Sequence, residues 1–247
     1  MRVFIKKEDI SGEFIKLNEE DRHHLVKVLR VRDGDEVIAC DGERDYRCQV
    51  LGGRCQILGE EECGSENKIN ITLFQGVPKS DKMESVIQMC SELGVNRLVP
   101  FHSRYCAVGL PDEKKLERWR RIAKESAMQC GRDRIMEVCK GEELDRAAEM
   151  TNDLDLAFVC WEGERIKRVK DLEWGFEVGS MRASTPTHGC GTSAPAIGFF
   201  VGSEGGFSGE EIEMLGLPTV TLGKRIMRTQ TAGAVVTGII LSLLNEI

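Results

Sequence analysis

Two stretches of the chain combine residue types that could hold a small molecule and act on it. The first is "VGSEGGFSGEEIE", Val201–Glu213, where an apolar run ends on glycines and a glutamate and a helix opens at once. Ile197, Phe199, Phe200 and Val201 read as a short buried strand. Ser208 with Glu211 is a capping-box pattern, and Glu210 and Glu211 suit the positive end of a helix dipole. Gly202–Phe207 is therefore a strand-to-helix loop at the carboxyl end of a strand, where open α/β sheets hold their ligands. Glycine at such a place admits close backbone approach or a positive φ. Phosphate fits poorly. No Gly-Lys-Ser/Thr ending is present, the dinucleotide fingerprint wants glycine where Glu204 stands, and Glu204 would repel an anion.

The second stretch is "LGKRIMRTQTAGAVV", Leu222–Val236, a tight basic loop between a strand and a helix beginning near Thr229. If the two strands are parallel neighbours, the loops lie side by side. They then offer backbone donors and acceptors, apolar walls from Ile226 and Met227, and the Arg228 guanidinium. That set suits an adenosine-like ligand gripped by backbone groups better than a triphosphate.

The elements that must position these loops are legible as patterns. "INITLFQGV" (Ile69–Val77), "NRLVPF", "LDLAFVCW" (Leu154–Trp161), "AIGFFVG" and "TVTLG" read as strands. Between them lie amphipathic helices, one with Met83, Val86, Ile87, Cys90 and Leu93 on one face and ending at Gly94, another over Asp112–Gln129. The final helix, Thr229–Glu246, carries a broad apolar stripe that needs a core or a partner to bury it. This alternation predicts a mostly parallel sheet covered on both faces, over residues 69–247. Residues 1–68 differ: "RVFI", "DEVIAC", "YRCQVL" and "RCQIL" are β-like runs separated by turn signals, with one short helix near Glu20–Val28. They predict a small, mostly β module of barrel type, with Gly59–Lys68 as a linker. Val178–Ala196, rich in Gly, Ser, Thr and Pro, reads as a disordered loop or a lid.

Composition narrows the classes. A net charge of −7 gives no global sign of nucleic-acid binding, yet Arg104–Arg134 holds nine Lys/Arg against five Asp/Glu. Such a run is equally an ordinary solvated face. The ten cysteines include no C-x-x-C pair, and Cys40, Cys48, Cys55 and Cys63 lack zinc-knuckle spacing, so no metal site is expected. The N-terminal "MRVFIKKEDI" is too charged for a signal peptide, and Ala232–Leu244 is too short to span a bilayer. Reduced thiols, a cytoplasmic location and no membrane partner are the expectation.

"VGSEGGFSGEE" followed by "LGKRIMRTQTA" resembles the C-terminal signature of the ribosomal RNA small subunit methyltransferase E family. "HHLVKVLRVRDGD" (His23–Asp35), "KMESVIQMCSELGV" (Lys82–Val95), "SRYC" (Ser103–Cys106) and "AMQCGRDRI" (Ala127–Ile135) match in the same order, so the resemblance covers nearly the whole chain. It implies an α/β fold: an N-terminal PUA-like β-barrel (1–68) that binds RNA and a C-terminal SPOUT domain (69–247) with a trefoil knot. It further implies a homodimer that uses S-adenosylmethionine to methylate N3 of one uridine in 16S ribosomal RNA. A SPOUT enzyme with another RNA target, or a non-catalytic RNA-binding ribosome-assembly factor, are the alternatives.

Carried over by position, Val201, Gly202 and Gly205, with Leu222, Gly223, Ile226 and Met227, would line the cofactor. Arg228 is the leading catalytic candidate: methylating N3 requires the base as its anion, and a guanidinium near O2 or O4 would stabilise it. A phosphate contact or a dimer salt bridge would use the same residue. Glu204 would touch the methionine amino group or orient the base. His24, Arg30, Arg32, Arg104, Arg118, Arg121 and Arg132 are candidate RNA contacts. Two positions depart from the family pattern: Ser203 stands where proline is usual, and Gln230 replaces glutamate.

Overall fold

Apolar side chains alternate along the strands of both halves of the chain, and the alternation decides which face of each sheet is buried. The computed structural model describes residues 2–23, 25, 30–174 and 194–247. His24, and all but the last three residues of the Val178–Ala196 loop, lie outside them. The chain divides into two units: Met1–Glu66 with Glu125–Ile135, and Asn67–Lys124 with Met136–Ile247. Residues 125–135, assigned on sequence to the second region, thus cluster with the first.

The first unit contains β1 (Arg2–Phe4), β2 (Ile10–Ser11), β3 (Phe14–Ile15), α1 (Glu19–His23), β4 (Glu36–Cys40), β5 (Arg44–Leu51) and β6 (Arg54–Glu62). Its strands form one sheet in the order β1-β4-β5-β6-β3-β2, antiparallel throughout except for the β1–β4 pair. Val37 and Ala39 on β4 and Tyr46, Cys48 and Val50 on β5 bury every second side chain in its core, with Val3, Ile15 and Cys55. The expected linker begins later than its acidity suggested. β6 runs on to Glu62 because its carboxylates face solvent across from β5, where Arg44 pairs with Glu60 at 2.8 Å.

The second unit is built on β7 (Asn70–Gly76), α2 (Lys82–Glu92), β8 (Arg97–His102), α3 (Glu113–Cys130), β9 (Glu137–Val138), β10 (Glu142–Glu143), α4 (Leu144–Glu149), β11 (Leu156–Cys160), β12 (Ala196–Val201), α5 (Gly209–Leu215), β13 (Thr219–Val220) and α6 (Thr229–Leu243). The seven strands are all parallel, in the order β10-β8-β7-β12-β11-β13 with β9 also on β8. Ile71 and Leu73 of β7 and Ile197 and Phe199 of β12 face a core shared with α2 and α6. Phe74 and Phe200, stacked at 4.3 Å, face the opposite core with Phe101, Leu144 and Phe207. Both faces are covered, as a parallel sheet requires. The apolar stripe of α6 is answered within the chain by Ala232, Val236, Ile240, Leu241 and Leu244 in the first of these cores.

Because every strand runs the same way, the loops after β7, β11, β12 and β13 emerge at one edge. The chain leaves β7 toward β8 on one side and returns through β11, β12 and β13 on the other, so β7 and β12 flank the point where strand order reverses. β13 is shorter than the pattern "TVTLG" predicted. Thr221 turns the chain early: its Oγ1 accepts the Gly223 N–H at 3.2 Å.

Candidate active site

The loop after β12 is held from three sides. Gly76, at the end of β7, lies so close beneath it that a Cβ there would sit 2.5 Å from Ser203 N. Ser203 is buried; its Oγ donates to Tyr105 O at 3.2 Å, and it bridges to Gly206, whose N–H donates to Ser203 O at 3.1 Å. From the N-terminal turn of α6, Thr229 Oγ1 donates to Gly202 O at 2.7 Å and accepts from Gln75 Nε2 at 2.8 Å. The α5 capping box read from sequence is formed, with Ser208 Oγ accepting the Glu211 N–H and Glu211 Oε2 accepting the Ser208 N–H.

A third loop, after β11, was not read from sequence as part of a site. Glu164 organises it: Oε1 accepts the N–H groups of Arg165, Ile166 and Lys167, and Oε2 accepts Thr219 Oγ1 at 3.1 Å. These bonds, the Ile166 N–H foremost, pull the Glu164 carboxyl down to about 2. The loop also places the Glu162 carboxylate against the Cα of Gly206, where any side chain would overlap it. "CWEGER" carried the available signal, two carboxylates around a glycine directly after a strand.

The three loops enclose a cavity of about 490 Å3, within the usual span of small-molecule sites. Val201, Gly202, Gly205, Leu222, Gly223, Ile226 and Met227 all line it, together with Glu204 and Arg228. Trp161, Cys160 and Leu222 contribute apolar surface, and Lys224, Arg225 and Arg228 are exposed cations on one short loop. Arg228 is the N-cap residue of α6 and has no ion pair among the described residues. Burial pushes the Cys160 thiol up, which keeps it protonated and a poor nucleophile.

The chain matches the model of the RNA methyltransferase domain over residues 65–241 and that of the RNA methyltransferase PUA domain over residues 17–57. It is 31% identical over 226 residues to the ribosomal RNA small subunit methyltransferase E of Bacillus subtilis, covering 86% of this chain and 84% of that protein. The chain belongs to the ribosomal RNA small subunit methyltransferase E family. The family member from Synechocystis is 30% identical over 99% of this chain and 78% of its own length. Among solved structures, the family member from Neisseria gonorrhoeae bound to S-adenosyl methionine superposes with a TM-score of 0.81 at 27% identity, covering 98% of this chain and 97% of that one. A putative methyltransferase from Legionella pneumophila in complex with the cofactor SAM gives 0.79 at 26% identity, covering 98% and 96%.

Ser203, which departs from the proline of the family pattern, donates its hydroxyl to Tyr105 O. Gln230 lines the cavity and is half-buried. Glu204 lines the cavity and is held by lysine donors. Lys82 Nζ donates to it at 2.6 Å and Lys79 N at 3.2 Å. Burial pushes its carboxyl up, but these donors outweigh that and leave it below the usual range. These bonds also tie the loop after β12 to the segment after β7.

The expected RNA contacts separate into groups. Arg30, Arg32 and Arg121 are exposed. Arg104 and Arg118 are exposed but paired, with Glu210 at 2.6 Å and Glu84 at 2.8 Å. Arg132 does not fit: it is only 4% exposed, and its Nε and Nη2 both donate to Glu66, so no phosphate could reach it without unmaking a buried ion pair.

Proposed function

We propose that the protein transfers the methyl group of S-adenosylmethionine to N3 of a uridine in 16S ribosomal RNA. The observation that carries this reading is the cavity itself: the loops after β11, β12 and β13 close on one space, with the unpaired-by-ion Arg228 at its rim. The residues fit the cofactor. Val201, Leu222, Met227 and Trp161 offer apolar walls for an adenosine, the loop backbones offer its polar partners, and Glu162 is a carboxylate suited to a cationic ligand.

Bound there, S-adenosylmethionine supplies an electrophilic methyl on a sulfonium sulfur. The chain's part is to hold the base in line and lower the cost of its charge. Methylation would need N3 to pass its proton to solvent and to take the methyl carbon with its lone pair, while the carbon–sulfur pair would return to sulfur. The Arg228 guanidinium faces the negative charge that the base would carry through this step. Lys224 and Arg225 beside it suit the flanking phosphates.

In the same reading the first unit is a PUA-like barrel that binds RNA, and the second is a SPOUT domain whose C-terminal segment threads a trefoil knot. The enzyme acts as a homodimer in the cytoplasm, with the half-buried Val235, Ile239 and Leu243 of α6 at the dimer face. Labelled S-adenosylmethionine incubated with 30S subunits lacking the modification tests the whole. Label at a uridine N3, lost with Arg228→Ala, supports the reading. Cofactor binding without incorporation points to another RNA, and no cofactor binding defeats it.

A further inference from the structure

Away from the cavity, in the first unit, the sheet gathers two thiols and two carboxylates that the methyl-transfer reading does not use. Cys40 ends β4 and Asp45 lies on β5 as its register partner across the intervening turn. Cys63 follows β6, with its N–H on Glu43 O at 3.1 Å, and Asp133 arrives from the segment after α3. One donor atom from each lies within 4.8 Å of all the others. We propose that Cys40, Asp45, Cys63 and Asp133 bind one divalent cation of the zinc class in tetrahedral geometry.

Distances already approach that geometry. Cys40 Sγ and Cys63 Sγ are 3.6 Å apart, and Cys63 Sγ lies 3.5 Å from Asp45 Oδ1. A tetrahedron with zinc–sulfur bonds near 2.3 Å and zinc–oxygen bonds near 2.1 Å has edges of about 3.8 and about 3.6 Å between such atoms. A disulfide would need the two sulfurs to close to about 2.05 Å.

Charge allows it. Asp45 and Asp133 are both buried and share a single guanidinium, that of Arg2, which pairs with each. Exchanging the two thiol protons for one divalent cation leaves the net charge of the cluster unchanged, so binding adds no unpaired buried charge. Donor type then selects the ion: two thiolates with two carboxylates suit zinc rather than magnesium or calcium.

Outer partners are also in place. Arg2 holds Asp45 Oδ2 and Asp133 Oδ1, Ser65 N–H donates to Asp133 Oδ2 at 2.6 Å, and Gly42 N–H donates to Cys40 Sγ at 3.4 Å. Bonds of this kind fix ligand orientation in metal sites. Binding would displace both thiol protons to solvent, so affinity should rise with pH. Separation in sequence hid the site: Cys40 and Cys63 are far apart and Asp133 farther.

The test is a titration of the reduced full-length chain with Co2+ as a spectroscopic probe, then displacement by Zn2+. Thiolate-to-cobalt absorption saturating at about one equivalent, reversed by zinc, and weakened at least about tenfold in Cys63→Ser but not in Cys130→Ser, is the expected result. Cys63 is only half-buried and Cys130 is exposed, so circular dichroism should show both variants folded. No thiolate band in the wild type overturns the proposal, as does a band indifferent to Cys63→Ser. A Cys40–Cys63 disulfide in the isolated protein, which after reduction still takes up no cobalt, overturns it in favour of a redox pair.

Discussion

Arg228 and Gly206 show how differently two residues of one site act. Arg228 is held by its backbone at the start of α6 while its side chain stays without an ion pair among the described residues, so its charge is available to a ligand. A donor aimed at developing negative charge is worth about 10²–10³ in rate. Arg228→Ala should therefore lower kcat by about that factor with cofactor Kd nearly unchanged. Arg228→Lys should recover only part, because an ammonium lacks the planar fork. Single-turnover methylation beside calorimetric binding checks this, and a loss confined to Kd would refute it. Gly206 acts through shape. Its φ of 67° costs a side chain about 1–2 kcal/mol, and a Cβ would displace the Glu162 carboxylate. Gly206→Ala should lower Tm and raise cofactor Kd at least about tenfold, with the product of the reaction unchanged.

At the scale of elements, the site depends on clasps between loops that belong to different strands. Thr229 Oγ1 ties α6 to Gly202 O and takes a bond from Gln75 at the end of β7. Thr229→Val keeps the shape but leaves buried Gly202 O and one Gln75 N–H without that partner, which costs about 1–3 kcal/mol. Thr229→Ser should keep both bonds and most of the stability. Urea unfolding of the three proteins orders them wild type, Ser, Val if the clasp works as described; equal Val and Ser values would show that it does not. This network also marks the limit of what sequence made legible. Strand and helix periods foretold the parallel sheet, the Ser208–Glu211 cap and both glycine loops, because each is a local pattern. Gln75 and Thr229 gave no such signal, since they meet only in the fold, 154 positions apart, and Glu162 and Glu164 were marked only by two carboxylates around a glycine after a strand. Arg132 misled for the same reason, its partner Glu66 being 66 positions away.

For the whole molecule, groups shifted in opposite senses close a stability window from both sides. Glu164, held near 2 against an ordinary 4.5, contributes stability in full above pH 4.5 and loses it as pH falls toward 2. Asp133 acts in the same direction: burial pushes it up, but the Ser65 N–H and Arg2 outweigh that and lower it. The alkaline side is set by buried thiols. Burial pushes Cys48 and Cys90 up to about 12 and Cys55 to about 11, from an ordinary 9. Unfolded, these thiols ionise near pH 9; folded, they keep their protons, so their contribution is full below 9 and is lost as pH rises through 11 to 12. Tm should therefore be flat between about pH 5 and about pH 8.5 and fall on either side. Glu164→Gln should make the acid limb shallower and leave the alkaline limb alone. Cys90→Ala, although it opens a cavity and lowers Tm throughout, should make only the alkaline limb shallower. Curves displaced in parallel, with both limbs unchanged in slope, would mean that other groups set the window.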